Sequence, residues 1–187
     1  MNYSQIRAEA WQRLNGHWTL MLAVWVVVWV IMSAANMVAL ILGGPLMLGV
    51  IMIFLKIYRQ EDYKFENMFD GFKDFARSLV AYLLMSLYVF LWMLLFIVPG
   101  IIASISYSMT FFILADDKQI QPQEALRKSR QMMHGHKTEF FLLMLSFIGW
   151  AFLSILTMGI GFLWLSSYMC MAQTIFYHRI KDGVQPA

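Results

Sequence analysis

Three long apolar blocks alternate with short polar segments along this chain. The blocks run from Trp18 to Tyr58, from Leu79 to Ala115 and from Phe140 to Tyr177. Each is about twice the ~20 residues that one membrane-spanning helix needs. Each also carries helix-breaking residues near its middle: Gly43-Gly44-Pro45, Pro99-Gly100 and Gly159-Ile160-Gly161. Proline cannot donate the helical hydrogen bond, and glycine accepts turn conformations that other residues resist. Two spans joined at a breaker are therefore expected from each block.

The polar lead-ins strengthen this reading. WQRLNGHWTLML (11–22), NMFDGFKDFARSL (67–79) and RQMMHGHKTEFFLLML (130–145) each place a glycine before the start of an apolar block. The unit of lead-in, span, breaker and span thus recurs three times, giving pseudo-repeats of about 1–60, 61–118 and 119–187 within a single membrane domain 1–187. In the second lead-in Phe65, Met68, Phe69, Phe72 and Phe75 share one face of a helix, with charges largely off it. Residues 122–134 behave similarly. Pro122 suits a first helical turn, and Arg127, Lys128 and Arg130 form a basic side. Such helices are expected to lie as amphipathic elbows at the membrane interface.

Charge placement decides between hairpins and kinked single spans. All 14 Lys and Arg fall in 1–17, 56–77, 118–137 and 179–181, and no charge falls near a breaker. With Gly43, Gly44, Pro45, Pro99, Gly100, Gly159 and Gly161 at hairpin tips, every charge lies on one side of the membrane. The positive-inside rule makes that side the cytoplasm. The fold expected is all-α and polytopic: six transmembrane helices as three helical hairpins, amphipathic cytoplasmic elbow helices, and both termini cytoplasmic. Trp18 to Ala35 is read as a retained span rather than a cleaved signal peptide, since its layout recurs downstream.

Composition agrees: 60% of the 187 residues are hydrophobic and 13% are charged, against about 25% charged in soluble domains. Cys170 is the only cysteine, which excludes an intrachain disulfide.

Candidate chemistry is sparse. Asp116, Asp117, His134 and His136 have the composition of a metal shell but no recognised metal spacing. No phosphate-binding loop, dinucleotide motif or paired nucleophile and base is present, so neither an enzyme nor a cofactor is expected. Ionisable residues deep in a span, the usual mark of an ion pathway, are missing. Asn36, Gln173 and scattered hydroxyls are the polar handles. Gly100, Ser104 and Ser108 recur every four residues, a pattern that lets helices pack closely. Trp25 and Trp29 read as packing or lipid-contact residues.

The run VPGIIASISYSMTFFILADD, with EALRKSRQMMHGHK, LSFIGW, GIGFLWLSSY, GPLMLG and FENMFDGFKDF, resembles the bacterial membrane-protein family catalogued as domain of unknown function 975. The resemblance covers about Tyr3 to Ile180 and implies a small multi-span protein of the bacterial plasma membrane. It brings no activity and no catalytic residue. His134 stands where the family pattern implies a basic residue, and Ser167 where it implies a proline. The latter implies a straighter last span.

Two functions follow as expectations. The first is a non-enzymatic membrane scaffold or accessory protein that engages lipid, anionic lipid included, or another membrane protein. Its working surfaces would be Arg127, Lys128 and Arg130 and the Phe65, Met68, Phe69 and Phe72 face. The second is a carrier or pore for an apolar or lipidic solute, which requires a cavity lined by Ser104, Ser108, Asn36 or Gln173. Nucleic-acid binding is not expected: the basic residues are few and mixed with acids.

Overall fold

The second and third apolar blocks break near their middles, and only the third does so at a residue the sequence singles out. The computed structural model describes residues 3–34, 36–157 and 159–183, and their side chains except at 32–40. Asn36, an expected cavity residue, therefore has its side chain outside the described set. Among the described residues every regular element is helical. In chain order these are α1 (Tyr3–Leu14), α2 (Trp18–Ala34), α3 (Asn36–Arg59), a 3-10 helix (Phe65–Phe72), α4 (Phe75–Leu95) and α5 (Ile97–Tyr107). There follow α6 (Thr110–Asp116), α7 (Pro122–Met132), α8 (Lys137–Leu145), α9 (Ile148–Leu156) and α10 (Ile160–Lys181).

Two of the three expected tips are displaced. Gly43, Gly44 and Pro45 lie inside α3 and are not a tip. The glycines serve packing there: a Cβ on Gly44 would come within 2.5 Å of the Ser78 carbonyl oxygen, and one on Gly43 within 3.0 Å of the Tyr82 ring. In the second block the break is at Phe96, whose φ of −160° and ψ of 147° are extended. Pro99 and Gly100 follow it, in the first turn of α5. A proline is tolerated there because a first-turn N–H has no intrahelical partner to lose. The chain turns back at Phe96, so that Tyr107 stacks on Tyr88 with ring centroids 5.9 Å apart. Gly159 does sit at a break, capping α10 with φ 91°, a conformation that favours glycine. Gly161 is in the first turn that follows, its N–H donating to Thr157 Oγ1 at 3.0 Å.

The second lead-in is a 3-10 helix rather than an α-helix. With three residues per turn, positions i and i+3 stack in line, so the expected single apolar face divides into two ridges. Phe65, Met68 and Gly71 form one, and Met68 is fully buried. This corrects its expected place on a lipid-facing surface. Phe69 and Phe72, continued by Phe75 at the start of α4, form the other, a ladder of rings 6.1 and 6.4 Å apart in which Phe69 and Phe75 are exposed and Phe72 is half-buried. The Lys73 ammonium, 2.7 Å from Asp70, holds that carboxyl below the usual carboxylate range. The apolar residues of the other lead-ins also turn inward: Ile6, Ala10 and Leu14 of α1, and Ala125 and Leu126 of α7, are buried.

The interior is built on α3 and α10. Ile51, Ile53 and Phe54 from α3 and Met171, Ile175 and Phe176 from α10 are fully buried or nearly so. The outer helices show the reverse. Leu94, Phe96 and Ile97, 64 to 72% exposed with Leu95 among them, form an uncharged apolar tip, and Leu156 and Ile160 at the α9–α10 break are more exposed still. Exposed apolar surface on this scale is what hydrocarbon solvates and water does not. Among the described residues four stretches are long and apolar enough to cross a membrane: Ile41–Arg59, Phe75–Leu95, Ile97–Asp116 and Lys137–Leu156. Tyr3–Leu14 and Trp18–Ile31, which meet at 96°, make a fifth if counted together. The last expected span, α10, is long but interrupted by Ser166, Ser167, Gln173 and Thr174. It runs unbroken through Ser167, where the family pattern implies a proline.

Candidate functional site

The charged end of the bundle is occupied by its own ion pairs. Asp116, at the end of α6, accepts hydrogen bonds from Arg59 of α3, from Lys181 of α10 and from the Tyr177 hydroxyl at 2.8 Å. Glu9 of α1 accepts from Arg13 at 3.2 Å and from Arg179 at 2.9 Å. Arg13 also lies over the Tyr58 ring, 4.1 Å from its centroid, and Tyr58 stacks on His178 at 4.2 Å. These contacts tie α1, α3, α6 and α10 together. They leave Asp116 committed to cations and His136 paired with Glu139 at 2.9 Å. Among the described residues no group of three metal-ligating side chains converges.

The basic helix divides in the same way. Arg127 reaches Glu124 at 3.7 Å. Arg127 and Lys128 line a shallow polar depression together with Asp117 and Glu124, so acids already offset their charge. Arg130 faces a different groove.

An apolar cleft of about 540 Å³ lies among α2, α3, α4, α5, α6 and α10. It is lined by Ser104 of α5 and Ser108 just beyond its end, by Met85 and Val89 of α4, Trp25 of α2 and Met47 of α3. The expected packing stripe thus has two roles. Gly100 does pack closely, since a Cβ there would come within 2.3 Å of Met93 Cγ. Ser104 and Ser108 instead face the cleft. Their hydroxyls are satisfied by the helix itself, donating at 2.8 Å to the carbonyls of Ile101 and Ile105.

Two N–H groups at the cleft lack an oxygen acceptor. The Trp25 indole nitrogen is buried with no hydrogen-bond partner among the described residues. Among the described residues the Gln173 amide nitrogen has only the Met144 sulfur, at 3.5 Å, and a thioether is a weak acceptor. A buried donor without a partner costs about 1–3 kcal/mol, a cost that the Trp25 indole bears here. Sequence reasoning found Ser104, Ser108 and Gln173 as polar handles. It read Trp25 as a packing or lipid-contact residue but not as an isolated donor, because that depends on neighbours distant in sequence.

No curated protein and no solved structure matches the chain. A family model matches it over residues 1–106 and again over 96–183, so that together the two matches take in nearly all of it. The chain belongs to the family described as Protein of unknown function (DUF975).

Proposed function

We propose that this chain is a non-enzymatic integral protein of the bacterial plasma membrane that holds a lipid in the cleft beside Trp25 and Gln173. It crosses the membrane six times as three hairpins, with α10 as the sixth segment and both termini cytoplasmic. The confinement of every Lys and Arg to the lead-ins and ends supports that topology and orientation. α10 needs less apolar surface than an outer helix because its neighbours rather than lipid surround much of it.

The observation that carries the lipid reading is an apolar cleft lined by one N–H donor without a partner among the described residues, Trp25, and one held only by a thioether, Gln173. An acyl chain fits the apolar walls, and an ester carbonyl supplies the missing acceptor. A purely hydrocarbon guest would leave the Trp25 N–H unpaired, at the cost given above.

The test is photolabelling with a phospholipid that carries a diazirine in its acyl chain. Labelled peptides should cluster at Trp25, Met47 and Val89, and S104L/S108L, which fills the cleft, should abolish that cluster. Label spread evenly over the exposed helices and indifferent to S104L/S108L would sink the reading. A lipid-flip assay in proteoliposomes then separates a protein that holds lipid from a carrier that moves it.

The Phe69, Phe72 and Phe75 ladder supports the accessory role as well. It is an exposed aromatic ridge beside the charged end, and buried aromatic anchors of this kind dominate protein–protein contacts.

A further inference from the structure

A second groove, of about 200 Å³, opens on the opposite side of α5 from the cleft. Arg130, at the end of α7, and Lys137, the first residue of α8, line it. Its wall is Trp92 of α4 with Pro99, Ile102 and Ala103 of α5. Positions 99, 102, 103 and 106 lie across the helix from 104 and 108 at 100° per residue, so α5 divides the two sites.

The two cations differ from the ion-paired ones and from Lys128, which shares its depression with Asp117 and Glu124. Arg13, Arg59, Arg77, Arg127, Arg179 and Lys181 each have a carboxylate partner. Among the described residues Arg130 and Lys137 have none, and no acidic residue lines their groove. The nearest carboxylate in sequence to Lys137, Glu139, is engaged by His136. Two unpaired cations converging on one groove repel each other, a cost that an anion between them removes.

Depth gives the anion its character. Lys137 begins the membrane-crossing stretch Lys137–Leu156 and so marks the interface. Beside these cations the wall of the groove is apolar, formed by Trp92, Pro99, Ile102 and Ala103. Ile101 and Ile102 on α5 are exposed. Cations at the interface beside an apolar wall match the outline of a phospholipid, with its phosphate at the cations and an acyl chain along the wall.

We propose that the Arg130–Lys137 groove binds the phosphate of an anionic phospholipid whose acyl chain lies along Ile102, Pro99 and Trp92. A zwitterionic lipid would bring its own cation against two others, which selects against it. A free phosphate would gain nothing from the apolar wall. The site rests on the membrane reading above but not on the cleft.

The experiment is native mass spectrometry of the purified full-length chain in neutral detergent, titrated with phosphatidylglycerol. The expected result is one retained lipid whose affinity falls about thirtyfold in R130Q/K137Q, following the ~1 kcal/mol that each basic residue contributes near a charged membrane surface. R127Q/K128Q and S104L/S108L should bind it as the wild type does, the latter separating this site from the cleft. R130K/K137R should restore binding, showing that charge rather than folding was lost. Phosphatidylcholine should bind more weakly by about tenfold or more, and millimolar inorganic phosphate should not displace the lipid. Undiminished binding by R130Q/K137Q, equal retention of phosphatidylcholine, or displacement by inorganic phosphate would each overturn the assignment.

Discussion

Gly71 of the 3-10 helix is seated directly on Gly49 of α3. A Cβ on Gly71 would lie 2.7 Å from the Gly49 amide nitrogen and 2.0 Å from the Pro45 carbonyl oxygen, and one on Gly49 would lie 1.8 Å from the Met68 carbonyl oxygen. Both glycines bring backbone onto backbone. The joint anchors the segment between α3 and α4 and seats Met68 in the core.

Backbone atoms cannot turn aside as a flexible side chain can. G49A and G71A should therefore each cost about 3 kcal/mol, at the upper end of the range for overpacked sites. G149A is the control: Gly149 has nothing within 4 Å of an added Cβ. That substitution should be neutral, or stabilising by up to ~1 kcal/mol from helix propensity. Thermal unfolding in detergent checks all three, and a Tm for G71A equal to that of the wild type would mean the joint does not form.

A second prediction concerns Asp116, whose side chain is 9% exposed and faces three donors from two helices. Y177F removes one hydrogen bond to a charged acceptor and should cost about 1.5 kcal/mol. In a D116N background the same change should cost clearly less, because the acceptor is no longer charged. A double-mutant cycle reads the difference as a coupling energy. Additive effects would show that Tyr177 and Asp116 act independently.

The lowered pKa of Asp70 makes a third. A carboxyl whose folded pKa is depressed contributes stability above its unfolded pKa, about 3.9, and loses it as pH falls through the folded value. Protection of the 3-10 helix amides against exchange should therefore be flat from neutral pH down to that range and decline below it. D70N should remove the decline. A decline that begins near neutral pH would point to a different group.

How far these features were legible in the sequence depends on whether their causes are local. The all-helical class and the uncharged block centres follow from hydropathy and charge placement alone. The break at Phe96 was within reach: a proline suits the first turn of a helix, so Pro99 marks a helix start just upstream, at Ile97, rather than a tip. Gly43-Gly44-Pro45 misled because its glycines answer to Ser78 and Tyr82 on another helix. The Phe65 to Phe75 pattern suits both an α-helix and a 3-10 helix. What separates them is the seat that Gly49 offers Gly71, a contact between segments far apart along the chain. The cleft was half legible: its polar handles stood out, whereas the isolation of the Trp25 N–H emerges only once its neighbours are placed.

The last prediction concerns topology, and the structure changes how it should be tested. A cysteine at Gly44 would collide with the Ser78 backbone, so it reports on damage rather than accessibility. Phe96 and Ile160, 70% and 73% exposed at the two described breaks, are better positions. Cys170 is buried and can be replaced by serine to give a clean background. With six crossings and cytoplasmic termini, F96C and I160C should both react with a membrane-impermeant thiol reagent applied to intact cells, and a cysteine at Lys128 should react only after the cells are opened. The α4–α5 pair is the sharper case. Ser129 of α7 donates to the Ser106 carbonyl at 2.9 Å and accepts from the Met109 N–H at 3.2 Å, so a basic helix packs part-way along Ile97–Asp116. Labelling at Ile160 without labelling at Phe96, before or after opening, would show that this hairpin dips into the bilayer and returns. The chain would then cross four times rather than six, with both termini still on the charged side.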